Sequence, residues 1–325
     1  MVLLTINVNP MYDTIHLWIG REGLDREYLD SLLNRLSEVG FRGENVRTGE
    51  ELISGRLDNF KVIASPSSLA IKGSLAKFYF GNNFETLCRK TTGEAIEKLN
   101  DRLQLKADCG KISRLDFAGN LRMEFPVKLY YRSLGSARYF ERLEQPDSLD
   151  YRSGTRQMLF YDKMLEARTA KDRIPAGWDG VNILRYEYRL LKRPVRFLNR
   201  QRLVLCDLGD RAFFTTMVKT WQEAYEAIHK VGAITMDWKD MNSPKEVRDW
   251  LAALKVQEMG PGWVNDLVES LRHSGAFDRP EYYSRLRTNL NNLSRLPIKA
   301  DDTRLSNELT GKVSDFAASM LDKVA

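Results

Sequence analysis

Alternation with a period of two runs through the first two-thirds of this chain and fades from the last third, and that change of rhythm limits the fold more than any other feature. Residues 2–8 and 13–19 alternate and are rich in β-branched side chains, with "NPMYD" between them as a turn. "LDREYLDSLLNRLSEVG" (24–40) sets Leu24, Tyr28, Leu32, Leu33 and Leu36 at helical spacing and stops at Gly40. Residues 59–86 hold apolar runs broken by Ser-Pro, Lys-Gly and Gly-Asn-Asn, the pattern of antiparallel strands joined by turns, and 85–105 reads as a helix. "GKISRLDFAGNLRME" (110–124) is a strand with Arg114, Asp116 and Ala118 on one face. "TRQMLFYDKMLE" and "NILRYEYRLLKR" are two more; in the second, Arg185, Glu187 and Arg189 face away from Leu184, Tyr186 and Tyr188. Beyond about residue 212 only helical patterns appear, among them "SPKEVRDWLAALKVQEMG" with a Ser-Pro start and a Gly stop. The expected organisation is an α+β domain at 1–210 and a helical domain at 211–325 that holds DNA or a partner, or simply caps the sheet.

With 325 residues, 43% of them hydrophobic, the chain can bury a substantial core. Its longest apolar runs are about five residues, so no membrane partner is expected, and the start of the chain lacks a basic leader, which points to the cytoplasm. Cys88, Cys109 and Cys206 form no C-x-x-C pair and there are three histidines, so any metal is expected on oxygen ligands. Net charge is +6, and residues 184–202 alone carry seven basic residues against one acid, Glu187. Arg185, Arg189, Lys192, Arg193 and Arg196 from that stretch form a candidate phosphate track, with Arg114 beside it.

Three strands each carry an acid: Asp116 in "SRLDFAGN", Asp162 in "FYDK" and Glu187 in "RYEYR". Acids are poor strand formers, and each taken alone is explained by a salt bridge to Arg114, Lys163 or Arg185. Taken together, same-face residues of antiparallel strands can converge their oxygens on one point, which suits Mg²⁺ or Mn²⁺. Tyr161 then stands beside that point as a phenol nucleophile toward phosphorus. Adjacent strand residues face opposite ways, so Tyr161 and Asp162 share the site only if the strand ends or bulges there.

"VIASPSSLAIKGSLAKFYFGNN", "ISRLDFAGNL", "MLFYDKMLE" and "LRYEYRLLKR", in that order, resemble the filamentous-phage gene II type replication initiators and the related plasmid rolling-circle initiators, over roughly residues 1–210. The resemblance implies a central antiparallel sheet of the RNA-recognition-motif kind with helices on one face. It implies that Tyr161 nicks one DNA strand and stays on the 5′ phosphate, while Asp116, Asp162 and Glu187 hold a divalent metal. Glu166, one helical turn past Asp162, is a rival ligand, and Lys163 is an additional candidate of the same motif. No glycine-rich nucleotide loop is present, so a separate host helicase is the expected partner besides origin DNA. The alternatives are a relaxase with the same chemistry and a non-catalytic origin or operator binder.

Overall fold

A computed structural model describes residues 11–20, 24–85, 87–108, 110–231, 233–234, 242–260, 262–295, 300–302 and 304–322; the strand expected over 2–8, Cys109 and Trp238 lie outside them. The sheet strands are β1 (Met11–Gly20), β2 (Glu38–Glu44), β3 (Glu51–Leu57), β4 (Phe60–Ser65), β5 (Ser68–Ser74) and β6 (Lys111–Met123), then β8 (Glu141–Glu144), β9 (Ser148–Arg152), β10 (Arg156–Asp162) and β11 (Asn182–Leu190). These ten strands pair antiparallel in the order β2-β3-β4-β5-β1-β6-β11-β10-β9-β8. Outside that sheet, β7 (Leu134–Ala137) pairs with β12 (Ile228–Lys230), a short strand in the region where the sequence reads only as helix.

Among the described residues there are eleven α-helices. The first six are α1 (Arg26–Arg35), α2 (Leu75–Phe80), α3 (Arg89–Leu103), α4 (Val127–Tyr131), α5 (Lys163–Ala170) and α6 (Pro194–Phe197). The rest are α7 (Arg211–Glu226), α8 (Pro244–Met259), α9 (Trp263–His273), α10 (Pro280–Leu293) and α11 (Arg304–Asp322). The mixed α+β expectation holds, with two local differences. The helix expected to reach Gly40 ends at Arg35, because Leu36 is already extended and the following residues pair along β3 as an edge strand. The strands expected to fill 59–86 give way to α2, which Ser74 caps through the Lys77 amide and which closes at Gly81, where φ is +77°.

One face of the sheet is an aromatic core. Tyr186 stacks on Phe160 at 4.5 Å and meets Trp221 of α7 at 4.7 Å, and Trp221 meets Phe316 of α11 at 5.1 Å. Backbone and side chain are cross-tied, since Tyr186 Oη donates to the Trp221 carbonyl and Trp221 Nε1 donates to the Tyr186 carbonyl. Gly119 makes room for this packing: a Cβ there would lie 2.6 Å from Phe316 and 3.0 Å from Trp221. The core therefore continues past residue 210, with Phe213, Phe214, Trp221 and Tyr225 of α7 buried in the same cluster as the strands. Helices α8, α9 and α10 pack chiefly on one another.

Helices do not keep to that face alone. On the other, Met164 and Ala167 of α5 join Phe84, Trp178 and Ile183 in a small separate cluster. Ile183 alternates with Leu184, so β11 has apolar residues to bury on both sides and recruits cover on both.

Trp221→Ala is expected to lower unfolding free energy by about 3–5 kcal/mol in urea denaturation, because it removes a fully buried indole that joins α7, α11 and the sheet. A loss under about 1 kcal/mol would show that α7 is not part of the sheet's core.

Candidate active site

The polar face is built by register. Strand β1 carries a bulge: Tyr12 pairs with Phe117 and Ile15 with Leu115, so Asp13 and Thr14 together oppose Asp116. The extra residue lets Tyr12 stay among Phe117 and Phe213 while Asp13 turns to the polar side. Across β6 and β11, Asp116 pairs with Arg189, Ala118 with Glu187 and Asn120 with Arg185. Across β11 and β10, Arg185 pairs with Tyr161. Period two thus gathers Asp116, Asn120, Arg185, Glu187, Arg189 and Tyr161 on one face of three neighbouring strands.

Arg185 is fully buried at the centre. Its Nε donates to Glu187 Oε1 at 2.7 Å and its Nη2 to Asp13 Oδ2 at 2.6 Å. Its Nη1 donates to Asn120 Oδ1 at 3.0 Å and to the Asn83 carbonyl at 3.2 Å. Burial disfavours the charge, yet Tyr161, Asp13 and Glu187 outweigh it and hold the guanidinium above its ordinary pKa.

Glu187 is the acceptor on which the face converges. Besides Arg185, its Oε1 takes the phenol hydrogen of Tyr161 at 2.7 Å, and its Oε2 takes Arg189 Nε at 2.7 Å. Burial alone would raise this carboxyl, but Arg189 and Arg185 outweigh it and hold it at about 2. Tyr161 is pushed the other way, well above the ordinary phenol value, by burial first and the Glu187 charge second. Asp116 accepts from Arg114 Nε at 2.8 Å and Nη2 at 2.6 Å, and burial, only partly offset by Arg114, lifts it to about 6. Next to it His16 is pushed down to about 4, by burial and then by Arg114 and Lys72.

These groups open on a polar cleft of about 570 Å³ that Asp13, Asn83, Lys77 and Glu166 also line. Asp162 does not join Asp116 and Glu187. Strand β10 ends there, and Asp162 Oδ1 accepts the Met164 and Leu165 amides at 2.9 and 3.0 Å, capping α5. Its neighbours are Asp147, Ser148 and Leu165, around an adjoining depression of about 380 Å³. Glu166 reaches the cleft instead, ion-paired to the fully buried Lys163, whose ammonium stands 5.0 Å over the Phe84 ring and is shifted downward by burial.

The candidate phosphate track divides. Arg185 is a buried structural cation with all three nitrogens engaged, so it is not a phosphate contact. Arg114 and Arg189 sit at the lip, with side chains 23% and 22% exposed and bonded to Asp116 and Glu187. Lys192, Arg193 and Arg196 are exposed beyond the end of β11, around α6. Asp13, Asn83 and Asn120 were missed by the sequence reading, and the only trace of Asp13 was its place in "NPMYD", read as a turn.

Among the described residues no three His, Cys, Asp or Glu side chains form a ready metal cluster, so the expected meeting of Asp116, Asp162 and Glu187 is not formed. The donor set still fits a hard cation. Asp13, Asp116, Glu187 and Asn83 offer oxygen only, and the buried Asp13 Oδ1 and Asn83 Oδ1 lack a hydrogen-bond partner among the described residues.

No curated protein matches this chain. Residues 53–224, which contain Asp116, Tyr161 and Glu187 and leave Asp13 outside, match the family described as the N-terminal part of the gene II type replication-associated protein. That match spans just over half of the 325 residues, bears out the gene II type resemblance, and makes this chain a member of that replication-associated family.

Proposed function

We propose that this member of a phage replication-initiator family nicks one strand of a replication origin through Tyr161, rejoins it later, and so starts rolling-circle replication. The observation that carries the reading is the 2.7 Å hydrogen bond from Tyr161 Oη to Glu187 Oε1 inside a cleft lined by acids and arginines. Two other tyrosines are less suited: Tyr151 donates to the Gly135 carbonyl within the core, and Tyr79, bonded to Glu94, does not line the cleft. The strands β1, β6, β11 and β10 we read as the family's RNA-recognition-motif-like centre. A host helicase would unwind the nicked duplex.

In the nick, Tyr161 Oη bonds to phosphorus and the bond from phosphorus to the 3′ oxygen breaks, leaving a 3′ hydroxyl and a 5′ phosphotyrosine. Joining is the reverse. Glu187 Oε1 orients the phenol, receives its proton and passes it to the departing 3′ oxygen, so that the step balances. The arginines that hold Glu187 at about 2 also make it a weak base, and the raised phenol is a weak acid, so the resting site restrains its nucleophile. The partnerless oxygens of Asp13 and Asn83, with Asp116 across the bulge from Asp13, would hold Mg²⁺ or Mn²⁺. When bound, such an ion polarises the phosphodiester and favours the phenolate. Arg114 and Arg189 at the lip meet the incoming phosphate charge. A relaxase would use the same groups, whereas an origin binder that does not cut needs no phenol held on Glu187.

Incubation with supercoiled plasmid carrying the origin and Mn²⁺ is expected to give open circles with protein on the 5′ end. Tyr161→Phe should leave no adduct and an unchanged mobility shift; an adduct that persists would move the nucleophile elsewhere.

Mn²⁺ should raise the melting temperature of the wild type, equivalent to about 2.7 kcal/mol at a hundredfold excess over its Kd, and should leave Asp116→Asn unmoved. Equal shifts in both proteins would place the ion elsewhere.

With metal removed by EDTA, Asp116 also predicts the pH dependence of stability. Its folded pKa of about 6 lies above the unfolded value of 3.8, so its contribution is greatest below pH 4 and is lost as pH rises through 6. Between pH 7 and 4 the urea-derived stability of the wild type should gain up to about 3 kcal/mol on Asp116→Asn. Parallel curves would mean that Asp116 stays ionised.

A further inference from the structure

We propose that the polar face of β3, β4, β5, β1 and β6 is a track for single-stranded DNA that feeds a phosphodiester into the Tyr161 cleft. The proposal rests on the nicking activity assigned to that cleft and names the form of nucleic acid that enters it. Four cations stand in one register row: Arg56 pairs with Lys61, Lys61 with Lys72, Lys72 with His16, and His16 with Arg114. Arg56, Lys61 and Lys72 are exposed and none of the three takes part in an ion pair among the described residues. Glu38 on the edge strand, opposite Arg56, closes the row.

Like charges directly opposite on a sheet destabilise it. Lysines are commonly placed on edge strands to prevent aggregation, but β4 and β5 are interior strands, so that explanation does not apply. An anion laid along the row would remove the repulsion. At the usual strand spacing five strands span about 19 Å, and the row meets the catalytic groups directly, because Arg56 and Arg114 line the same cleft as Tyr161.

A stacking platform lies beside the row. Trp18, two residues past His16 on the same face, is 41% exposed, and the Lys111 ammonium stands 5.5 Å from its ring. Cations along a backbone path with an exposed aromatic next to them are what an unpaired strand needs, since every base offers a face to stack. A duplex fits poorly: its major groove, about 12 Å wide, admits a helix or a two-stranded ribbon rather than the flat of a broad sheet.

The test uses the full chain with Arg56, Lys61 and Lys72 all changed to Ala, fluorescent oligothymidylate as the single strand and a mixed-sequence hairpin as the duplex. Thermal melting confirms that the fold survives these exposed changes. Between about 50 and 200 mM salt the slope of log affinity for oligothymidylate against log salt should fall by about 2, at roughly 0.7 per lost cation. Affinity itself should drop about tenfold or more, with a further loss in Trp18→Ala that Trp18→Phe largely restores. An unchanged affinity and slope for the single strand, or a loss confined to the hairpin, would overturn the track. Tyr161→Phe should bind oligothymidylate as the wild type does, so a failure of nicking bears on Tyr161 and a failure of the salt slope bears on the track.

Discussion

The site hangs on one buried guanidinium. Removing Arg185 from water costs several kcal/mol, and that cost is met only if each of its nitrogens finds an acceptor. The acceptors come from β1 through Asp13, β6 through Asn120, β11 through Glu187, and the 83–84 turn through a carbonyl. Three strands and a turn are therefore fixed relative to one another by a single planar fork. Glu187 is aimed by that fork, and Tyr161 is aimed by Glu187. The same Asn83 carbonyl also receives Asn120 Nδ2, so the turn beneath the cleft is tied twice. This is positioning through saturated hydrogen bonding, and a lysine at 185, with one ammonium in place of the fork, could not reproduce it.

The sheet separates two kinds of energetics. On the aromatic side, Phe160, Tyr186 and Trp221 make broad, forgiving apolar contacts that supply stability. On the polar side, each charge is held by a particular partner, and exchange of one residue leaves another unsatisfied. Strand alternation puts the two within one residue of each other: Tyr186 lies in the first environment, Arg185 and Glu187 in the second. The functional face can carry buried charges because the opposite face, with α7 and α11 packed on it, holds the strands in register.

How much of this was legible follows from what alternation encodes. "RYEYR" displayed both faces of β11 directly, and Asp116 and Tyr161 could be assigned for the same reason. Asp13 was hidden because its place depends on the bulge in β1, and a bulge alters the period over one residue only. Asp162 misled because an acid at the end of a strand and an acid at the start of a helix are the same residue in sequence; the local amides took it as a cap. Helix α7 was recognisable as a helix, yet periodicity shows only that a helix has an apolar side. That it packs on the sheet together with α11 is tied to Gly119, whose missing side chain leaves room for Trp221 and Phe316 and gives no pattern.

The charge balance of the cleft explains why an attractive surface outside it matters. Asp13, Asp116 and Glu187 are matched by Arg114, Arg185 and Arg189, so the resting cleft is close to neutral and has little long-range pull on a phosphate. For the nicking and joining proposed above a neutral cleft is useful, because a strongly cationic pocket would hold the phosphodiester tightly in every state and slow the exchange between nicked and joined strands. Attraction is better placed next to the chemistry than within it. The row from Arg56 to Lys72 has that position: its charges are exposed, set against one another, and at the edge of the cleft where Arg114 begins. DNA affinity can then reside in the sheet surface and rise or fall with salt, while the hydrogen bond between Tyr161 and Glu187 stays shielded from the same ions.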